Sequence, residues 1–224
     1  PAAPPRPPPP ASPDDDGMAA PPGAWANAAQ QAALLEEAAC FVAKQRADLR
    51  RAILSDDLDA ALRCGVNLAN ELRTSYLNPG SYYKLYIMVF WELQRLTTFL
   101  VVLAGKGVDL AHIYEVVQYE GNALPRLYML ITVGMAYATV STEKTCEIID
   151  DLASFLGIVQ HPVRGLLLRY YYLQCAKERL ASLGVRRAVE RHLAAFREAV
   201  RLWLRARLLG ERGPRRGGGP AKGA

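Results

Sequence analysis

From Trp25 to Leu183, apolar positions recur every three to four residues, which is the spacing of amphipathic helices. No run of alternating β-branched residues is long enough to indicate a strand. The periodicity predicts seven helices, over about residues 27–54, 58–77, 81–103, 109–119, 125–140, 142–159 and from 161 onward. Because short turns join them, neighbouring helices should run antiparallel, as in a helical bundle or an α-solenoid.

Local signals set the predicted helix ends. Asp57 and its two preceding residues are expected to end the first helix and cap the second. The breakers Asn78, Pro79 and Gly80 should end the second, and Pro125 should open the fifth. The sequence Gly105-Lys106-Gly107 lacks the second glycine and the Ser or Thr of a phosphate-binding loop, so it predicts a helix C-terminal turn.

The longest apolar stretch runs from Leu127 to Thr142 and is too short for a membrane span, which needs about 18 apolar residues. A buried core helix is therefore expected there. The chain shows no fixed repeat of about 34 or 40 residues with signature positions. This argues against a tetratricopeptide array but is compatible with degenerate HEAT-type repeats.

Composition separates the two ends from the helical part. Ten of the 15 prolines fall within residues 1–22, so residues 1–24 are predicted to be a disordered proline-rich extension of a helical region over 25–183. From Arg186 onward, 11 Lys or Arg face three Asp or Glu, a balance of +8 against −3 for the rest. The net charge of +5 therefore belongs to the C-terminal segment and does not indicate a nucleic-acid surface on the helical region.

The C-terminal segment divides into a predicted basic amphipathic helix over 184–209 and a disordered Gly/Arg tail over 210–224. The apolar stripe of this helix consists of Val189, Leu193, Phe196, Val200, Trp203 and Leu204. Two interpretations remain open. The stripe and its arginines suit an anionic membrane surface or an acidic partner, or the segment is the next helix of the stack.

Residues with catalytic or metal-binding chemistry show no functional spacing. The three histidines form no H-x-x-x-H pattern, and the four cysteines form no C-x-x-C pair and are expected to be small buried residues. Paired carboxylates are typical of helix caps and solvated faces. The sequence thus predicts a protein that is not an enzyme and holds no metal and no cofactor.

Two segments have an unusual residue mixture for helices. In residues 118–134, Arg126 lies in the first turn of a predicted helix, where the helix dipole disfavours a cation, so a carboxylate or carbonyl partner is expected in this chain or in another protein. In residues 159–170, Arg164 and Arg169 interrupt an apolar helix. Composition favours a structural role for these two arginines.

Three long phrases resemble one family. They are ELRTSYLNPGSYYKLY (71–86), YEVVQYEGNALPRLYMLITVG (114–134) and VQHPVRGLLLRYYYLQC (159–175). In this order and with similar gaps, they closely resemble the N-terminal region of the large scaffold subunit of retromer, the endosomal cargo-sorting coat. The resemblance covers about residues 34–180.

This resemblance implies an all-α fold, an α-solenoid of antiparallel HEAT-like helical hairpins, and a non-catalytic scaffold of endosome-to-Golgi transport. The family hallmark is a PRLYL motif that docks the arrestin-like retromer subunit. It reads here Pro125, Arg126, Leu127, Tyr128 and Met129. Arg126 matches the family arginine that holds this partner, while Arg164 and Arg169 are secondary candidates. Met129 replaces the last leucine, a swap expected to cost less than about 1.5 kcal/mol.

The resemblance also implies partners and a location. Sorting nexins and cargo tails would be engaged indirectly, and a late-endosomal Rab GTPase is a further candidate. The metallophosphoesterase-like subunit is not expected, because its binding region lies in the distant C-terminal half of the family; by length the chain resembles an N-terminal fragment. A cytoplasmic protein, peripheral on the endosomal membrane, is expected. The rival prediction is a basic module that binds nucleic acid or acidic lipid through its C-terminal segment.

Overall fold

The computed structural model describes residues 28–119, 121–182, 190, 193–194 and 196–205. Every regular element within these ranges is a helix. The predicted proline-rich extension at 1–24 and the Gly/Arg tail at 210–224 lie outside the described residues. The elements are α1 (Ala28–Leu54), α2 (Leu58–Glu71), α3 (Pro79–Gly105), α4 (Leu110–Val117), α5 (Ala123–Val140), α6 (Thr145–Phe155), a 3₁₀ turn (Leu156–Ile158) and α7 (Pro162–Ser182).

The helices form an all-α solenoid of antiparallel hairpins. Successive odd-numbered helices contact each other, α1 against α3, α3 against α5 and α5 against α7. The antiparallel sense is visible where the Tyr82 hydroxyl, near the start of α3, donates to the Leu72 carbonyl at the end of α2 over 2.7 Å. The fold class expected from the sequence is confirmed.

Helix α5 occupies the centre of the stack. It contacts α2, α3, α4, α6 and α7, and most of its side chains are buried. The expectation of a buried core helix in this stretch is therefore confirmed. By length and composition alone, α3 and α5 would also be long and apolar enough to cross a membrane, a test that the core helix of a soluble protein passes as well.

Two helix ends close with the same hydrogen-bond pattern. At the end of α3, Gly107 adopts a φ of 97°, and the Val108 N–H donates to the Leu103 carbonyl over 3.1 Å, as in a Schellman motif. This confirms the helix C-terminal turn predicted for that sequence. At the end of α1, Asp56 takes the same left-handed position with a φ of 53°. The Lys106 Nζ lies 2.6 Å from the Asp56 carboxylate, so an ion pair joins the two ends.

The predicted boundary between α2 and α3 is wrong. Helix α2 ends at Glu71, six residues before the predicted Leu77, and Asn78-Pro79-Gly80 opens α3 instead of closing α2. The Asn78 side chain caps α3 by accepting from the Ser81 N–H over 2.8 Å, and Pro79 takes the first helical position, where its missing N–H costs nothing.

Contacts from distant residues explain why α2 stops early. The buried Gln31 side chain of α1 donates to the Tyr76 carbonyl and accepts from the Asn78 N–H, both over 2.8 Å. These bonds hold the connecting segment in a non-helical conformation. Sequence periodicity could not show them, because Gln31 is more than 40 residues away.

The C-terminal helix packs through a different face from the predicted stripe. Within residues 196–205, Leu202 is buried and lies against Gly165, while Phe196, Trp203 and Leu204 are exposed. The Arg205 guanidinium also donates to the Gln160 side chain over 3.3 Å. These contacts favour the interpretation as a further helix of the stack, whereas membrane binding by the outward stripe stays a prediction.

The cysteines are only partly as expected. Cys64 is buried, and burial raises the pKa of the Cys175 thiol to about 12. Cys40 is exposed on α1, so the prediction that all four cysteines are buried is wrong for this residue. Its neighbours in the sequence are apolar, but its side chain lies on the outward face of the helix.

The last residue of α2 should make the stability of the stack depend on pH. Partial burial, and then the nearby Glu37 carboxylate, raise the pKa of Glu71 above its ordinary value of 4.5. Protonated Glu71 therefore favours the folded state, and this contribution is lost as the pH rises through the raised folded pKa. We expect Glu71→Gln to increase the melting temperature at pH 7 by about 1–2 °C, a small effect because the group is partly solvated.

Thermal unfolding followed by circular dichroism at pH 7 and at pH 4.5 measures this difference, which should shrink at the lower pH. The exposed Glu36→Gln is the matched control, because it removes the same charge from the surface of α1. Equal effects of Glu71→Gln at both pH values would contradict the prediction.

Candidate functional site

The candidate docking surface lies where α4 ends and α5 begins. Helix α4 ends at Val117, and α5 begins at Ala123 with Asn122 as its N-cap. Tyr119 was predicted to be the last residue of the fourth helix, but it lies beyond the helix end and is 87% exposed. Val116, on the last turn of α4, is also exposed. Two apolar side chains thus project from this junction.

Within the PRLYM segment, the structure separates one half-exposed residue from four buried ones. The side chains of Pro125, Leu127, Tyr128 and Met129 lie inside the stack. Arg126 is the half-exposed member, and its N–H donates to the Asn122 carbonyl over 3.0 Å within the first turn. Of the five candidate residues, Arg126 is therefore the one whose side chain can reach a docked protein directly.

Pro125 does not open α5 as predicted, because the helix begins two residues earlier at Ala123. The proline still lies in the first turn, where backbone N–H groups have no acceptor within the helix. Its ring is buried against the stack, so it fixes the direction in which α5 enters the core. The positive end of the helix dipole remains next to Arg126, which favours a carboxylate partner for its guanidinium.

Met129 fills a space that a glycine of α2 leaves open. A Cβ atom added to Gly65 would lie 2.9 Å from the Met129 sulfur and 2.5 Å from a Leu96 methyl group. The absence of a side chain at Gly65 thus lets α2 approach α5 and α3 closely. The long, unbranched methionine suits this gap, which gives a physical reason for its presence at the last motif position.

Tyr128 lies in a cluster of aromatic rings between α3, α5 and α7. Its ring centroid is 5.2 Å from that of Tyr171. Burial is the main cause, and the neighbouring Tyr82 a smaller one, of a pKa of Tyr128 far above its ordinary value. Among the described residues no group accepts from or donates to its hydroxyl. By contrast, the Tyr171 hydroxyl lies 2.8 Å from the Thr132 hydroxyl, which itself donates to the Tyr128 carbonyl over 2.7 Å.

Arg164 connects the first turn of α7 to the segment after α2. Its guanidinium donates to the carbonyls of Arg73 and Thr74 over 2.8 and 3.1 Å. These two carbonyl groups lie beyond the end of α2, where they do not accept the hydrogen bonds of a helix. The structure thus gives Arg164 a bracing role and leaves part of its side chain exposed.

Arg169 is buried, with 2% of its surface exposed. Its guanidinium donates to the carbonyls of Val159 and Gly165 over 3.3 and 3.0 Å. Burial lowers the pKa of Arg169, and the Glu198 carboxylate opposes this shift. For Arg169 the geometry favours the structural alternative over a partner contact, because the charged group does not reach the surface.

The three arginines are not brought together as one site. Arg164 faces the segment after α2, Arg169 faces the turn before α7, and Arg126 lies at the start of α5. Val116 and Tyr119 were not predicted as candidate residues, because the fourth helix was expected to continue to residue 119. The signal that could have separated them is Gly121-Asn122, which ends the helical pattern directly after this pair.

The described residues contain no group of three or more His, Cys, Asp or Glu side chains placed to hold a metal ion. The arrangement is suited to binding a protein surface, because it combines one cation in the first turn of α5, one exposed apolar side chain on α4 and one just beyond the end of α4.

Comparison with known proteins gives a consistent family. The family model described as "Vacuolar protein sorting-associated protein 35" matches residues 34–216. Vacuolar protein sorting-associated protein 35C of Arabidopsis thaliana is 40% identical over 166 residues, which are 70% of this chain and 21% of that protein. Vacuolar protein sorting-associated protein 35 of Dictyostelium discoideum is 38% identical over 183 residues, 79% of this chain and 23% of that protein.

The protein of the same name from Schizosaccharomyces pombe is 37% identical over 166 residues, covering 68% of this chain and 20% of its own length. The chain thus spans about a fifth of the length of these relatives. The matched residues include the whole α4–α5 junction, all of α5 and the described part of the C-terminal helix.

The buried hydroxyl of Tyr128 gives a prediction about the motif. We expect Tyr128→Phe to stabilise the fold by about 1 kcal/mol, because it removes a desolvated hydroxyl that forms no hydrogen bond. Tyr171→Phe should destabilise it by a similar amount, because it removes the bond to Thr132. Urea unfolding of both variants measures the two changes, and a loss of stability in Tyr128→Phe equal to that in Tyr171→Phe would contradict the assignment.

Gly165 gives a second prediction, with a matched control. A Cβ atom at this position would lie 2.6 Å from the Val159 carbonyl oxygen and 3.0 Å from the Arg169 guanidinium. We expect Gly165→Ala to destabilise the fold by about 2 kcal/mol, because backbone must move and the bonds of Arg169 lengthen. Gly157→Ala should be nearly neutral in the same urea titration, since nothing lies within 4 Å of its added Cβ. Similar midpoints for the two variants would refute the close-approach argument.

Proposed function

This chain belongs to the vacuolar protein sorting-associated protein 35 family, the large scaffold subunit of retromer, and from that premise we propose that it acts as a non-catalytic scaffold in retromer-dependent protein sorting. Its relatives are named for vacuolar protein sorting. This region docks the arrestin-like subunit and thereby selects cargo for endosome-to-Golgi transport at the cytoplasmic face of the endosomal membrane.

One observation supports this docking site above all. Arg126 is the half-exposed residue of a segment whose other members are buried, and the exposed side chains of Val116 and Tyr119 project from the same junction. A cation beside exposed apolar groups is the composition of a protein-binding hot spot, where aromatic and arginine side chains contribute most of the binding energy. A carboxylate on the partner would form a charge-assisted bond with the guanidinium.

The buried motif residues support the proposal indirectly. Pro125, Leu127, Tyr128 and Met129 hold α5 in the stack and so fix the position of Arg126 relative to Tyr119. In this proposal they are positioning residues, and Arg164 acts in the same way through the segment after α2. Substitutions at these residues should weaken docking only as far as they disturb the fold.

Further partners follow from the same proposal. Sorting nexins and cargo tails would bind through the arrestin-like subunit, and a late-endosomal Rab GTPase could be recruited to the assembled coat. The metallophosphoesterase-like subunit is not assigned to this region, and neither is nucleic acid. The protein would reach the endosomal membrane from the cytoplasm, as a peripheral component of the coat.

The docking surface is tested by reversing the charge of Arg126. We expect Arg126→Glu to abolish capture of the arrestin-like subunit, with a loss of affinity of at least ~30-fold, because it places an anion opposite the partner carboxylate. The melting temperature should change by only a few degrees, since the side chain is half-exposed. Isothermal titration calorimetry and thermal unfolding on the same preparations measure both effects.

Arg46→Glu is the matched control, because it makes the same charge change at an exposed position of α1. Tyr119→Ala tests the surface without a change of charge and should also weaken binding. Normal affinity in Arg126→Glu would sink the proposal, and so would an unfolded Arg126→Glu protein accompanied by a Tyr119→Ala variant that binds normally.

A further inference from the structure

Three exposed aromatic side chains lie on the outer faces of α3 and α7. They are Tyr83, Trp91 and Tyr170, with 51%, 60% and 45% of their surfaces exposed, and together they are termed the aromatic patch. The buried Tyr86 ring connects two of them, at 6.4 Å from Tyr83 and 6.5 Å from Tyr170. Phe90 contacts Tyr86 at 6.0 Å and Trp91 at 5.3 Å, so the rings form one continuous set.

Exposed basic side chains lie on the two helices that carry the aromatic patch. On α3, Lys84 and Arg95 are exposed, and the Arg95 Nε lies 3.8 Å from the carboxylate of the buried Glu92, so these two residues form an ion pair. On α7, Lys177 is exposed about two turns after Tyr170. An aromatic surface with a cationic rim suits a ligand that is rich in proline and carries acidic side chains.

This chain contains a segment with that composition. Residues 1–22 hold ten prolines, and the acidic run Asp14-Asp15-Asp16 follows the densest proline tract, Pro7 to Pro10. Proline-rich sequences favour the polyproline II conformation, which aromatic grooves bind at a low entropic cost. The acidic run complements the charge of the lysines and the arginine around the aromatic patch.

The start of α1 brings this segment to the correct end of the stack. The Gln31 side chain holds the first turn of α1 beside Tyr76 and Asn78, directly before α3 begins. Tyr83 lies in the second turn of α3, and Trp91 lies about 12 Å further along the helix at 1.5 Å per residue. Residues 11–27 span up to about 50 Å when extended, so the proline tract can reach the whole aromatic patch.

We propose that the proline-rich segment 1–22 docks on the aromatic patch of its own chain. The prolines lie against the rings of Tyr83, Trp91 and Tyr170, and the acidic run lies close to the cationic rim. The docked segment covers apolar surface that is otherwise in water, and it occupies this face of α3 and α7 against other ligands. The inference is independent of the docking surface at the α4–α5 junction.

Quenching of Trp91 fluorescence by acrylamide tests the proposal in the full chain. Trp25→Phe and Trp203→Phe leave Trp91 as the single tryptophan. In this background, replacing Pro7, Pro8, Pro9 and Pro10 by serine should raise the quenching constant of Trp91 at least twofold, because the ring becomes accessible. Replacement of Asp14, Asp15 and Asp16 by Asn should give a smaller increase in the quenching constant of Trp91. It should also remove the dependence of this constant on salt concentration.

The matched control keeps Trp203 as the single tryptophan, through Trp25→Phe and Trp91→Phe. Its quenching should not respond to the proline substitutions, and circular dichroism should show equal helix content in all variants. An unchanged quenching constant of Trp91 would overturn the proposal. The quenching constant of Trp91 is also measured while the protein concentration is raised from roughly 1 to roughly 100 µM. A decrease over this range would show docking onto a second copy and would also overturn the proposal.

Discussion

The burial of α5 is the constraint on which the rest of the structure depends. The helix contacts α2, α3, α4, α6 and α7, so each of these buries apolar surface against it. Full burial of one large apolar side chain contributes about 1.5–3 kcal/mol, and α5 buries such side chains on every face. Gly134 makes this possible, because a Cβ there would lie 3.0 Å from Tyr114 and 3.1 Å from Leu152. Helices α4 and α6 can therefore approach the same point of α5.

This central position explains why the candidate docking motif is long although its accessible part is small. A helix buried on all sides must leave the stack at its end, and the first turn of α5 is where its side chains begin to reach solvent. Arg126 lies at that transition, one residue after the buried Pro125 and one before the buried Leu127. A contact residue placed by such a helix is rigid, so a partner that binds it loses little conformational entropy in the process.

The sequence predicted the existence and order of the helices well, because each buries an apolar face with a regular period. It failed where contacts with residues distant in the sequence determine a helix end or the face that a helix buries. The end of α2 is set by Gln31 and Arg164, and the outward stripe of the C-terminal helix is set by the packing of Leu202 against Gly165. At the candidate site, the resemblance named the motif, but only the structure separates half-exposed Arg126 from its buried neighbours. Tyr119 was missed because a helix end is harder to place than a helix.

Helix α7 shows how directional bonds complement this apolar core. Apolar contacts alone allow helices to slide, because the hydrophobic effect has no preferred direction. Tyr171 bonds to Thr132 of α5, the Tyr172 hydroxyl lies 3.4 Å from the Ile149 carbonyl of α6, and the Gln94 amide of α3 donates to the Cys175 sulfur over 2.9 Å. These three contacts, within little more than one turn of α7, thus fix it against three different helices. The register of α7 determines where Tyr170 lies beside Tyr86. Hydrogen bonds within the core therefore position this part of the aromatic patch.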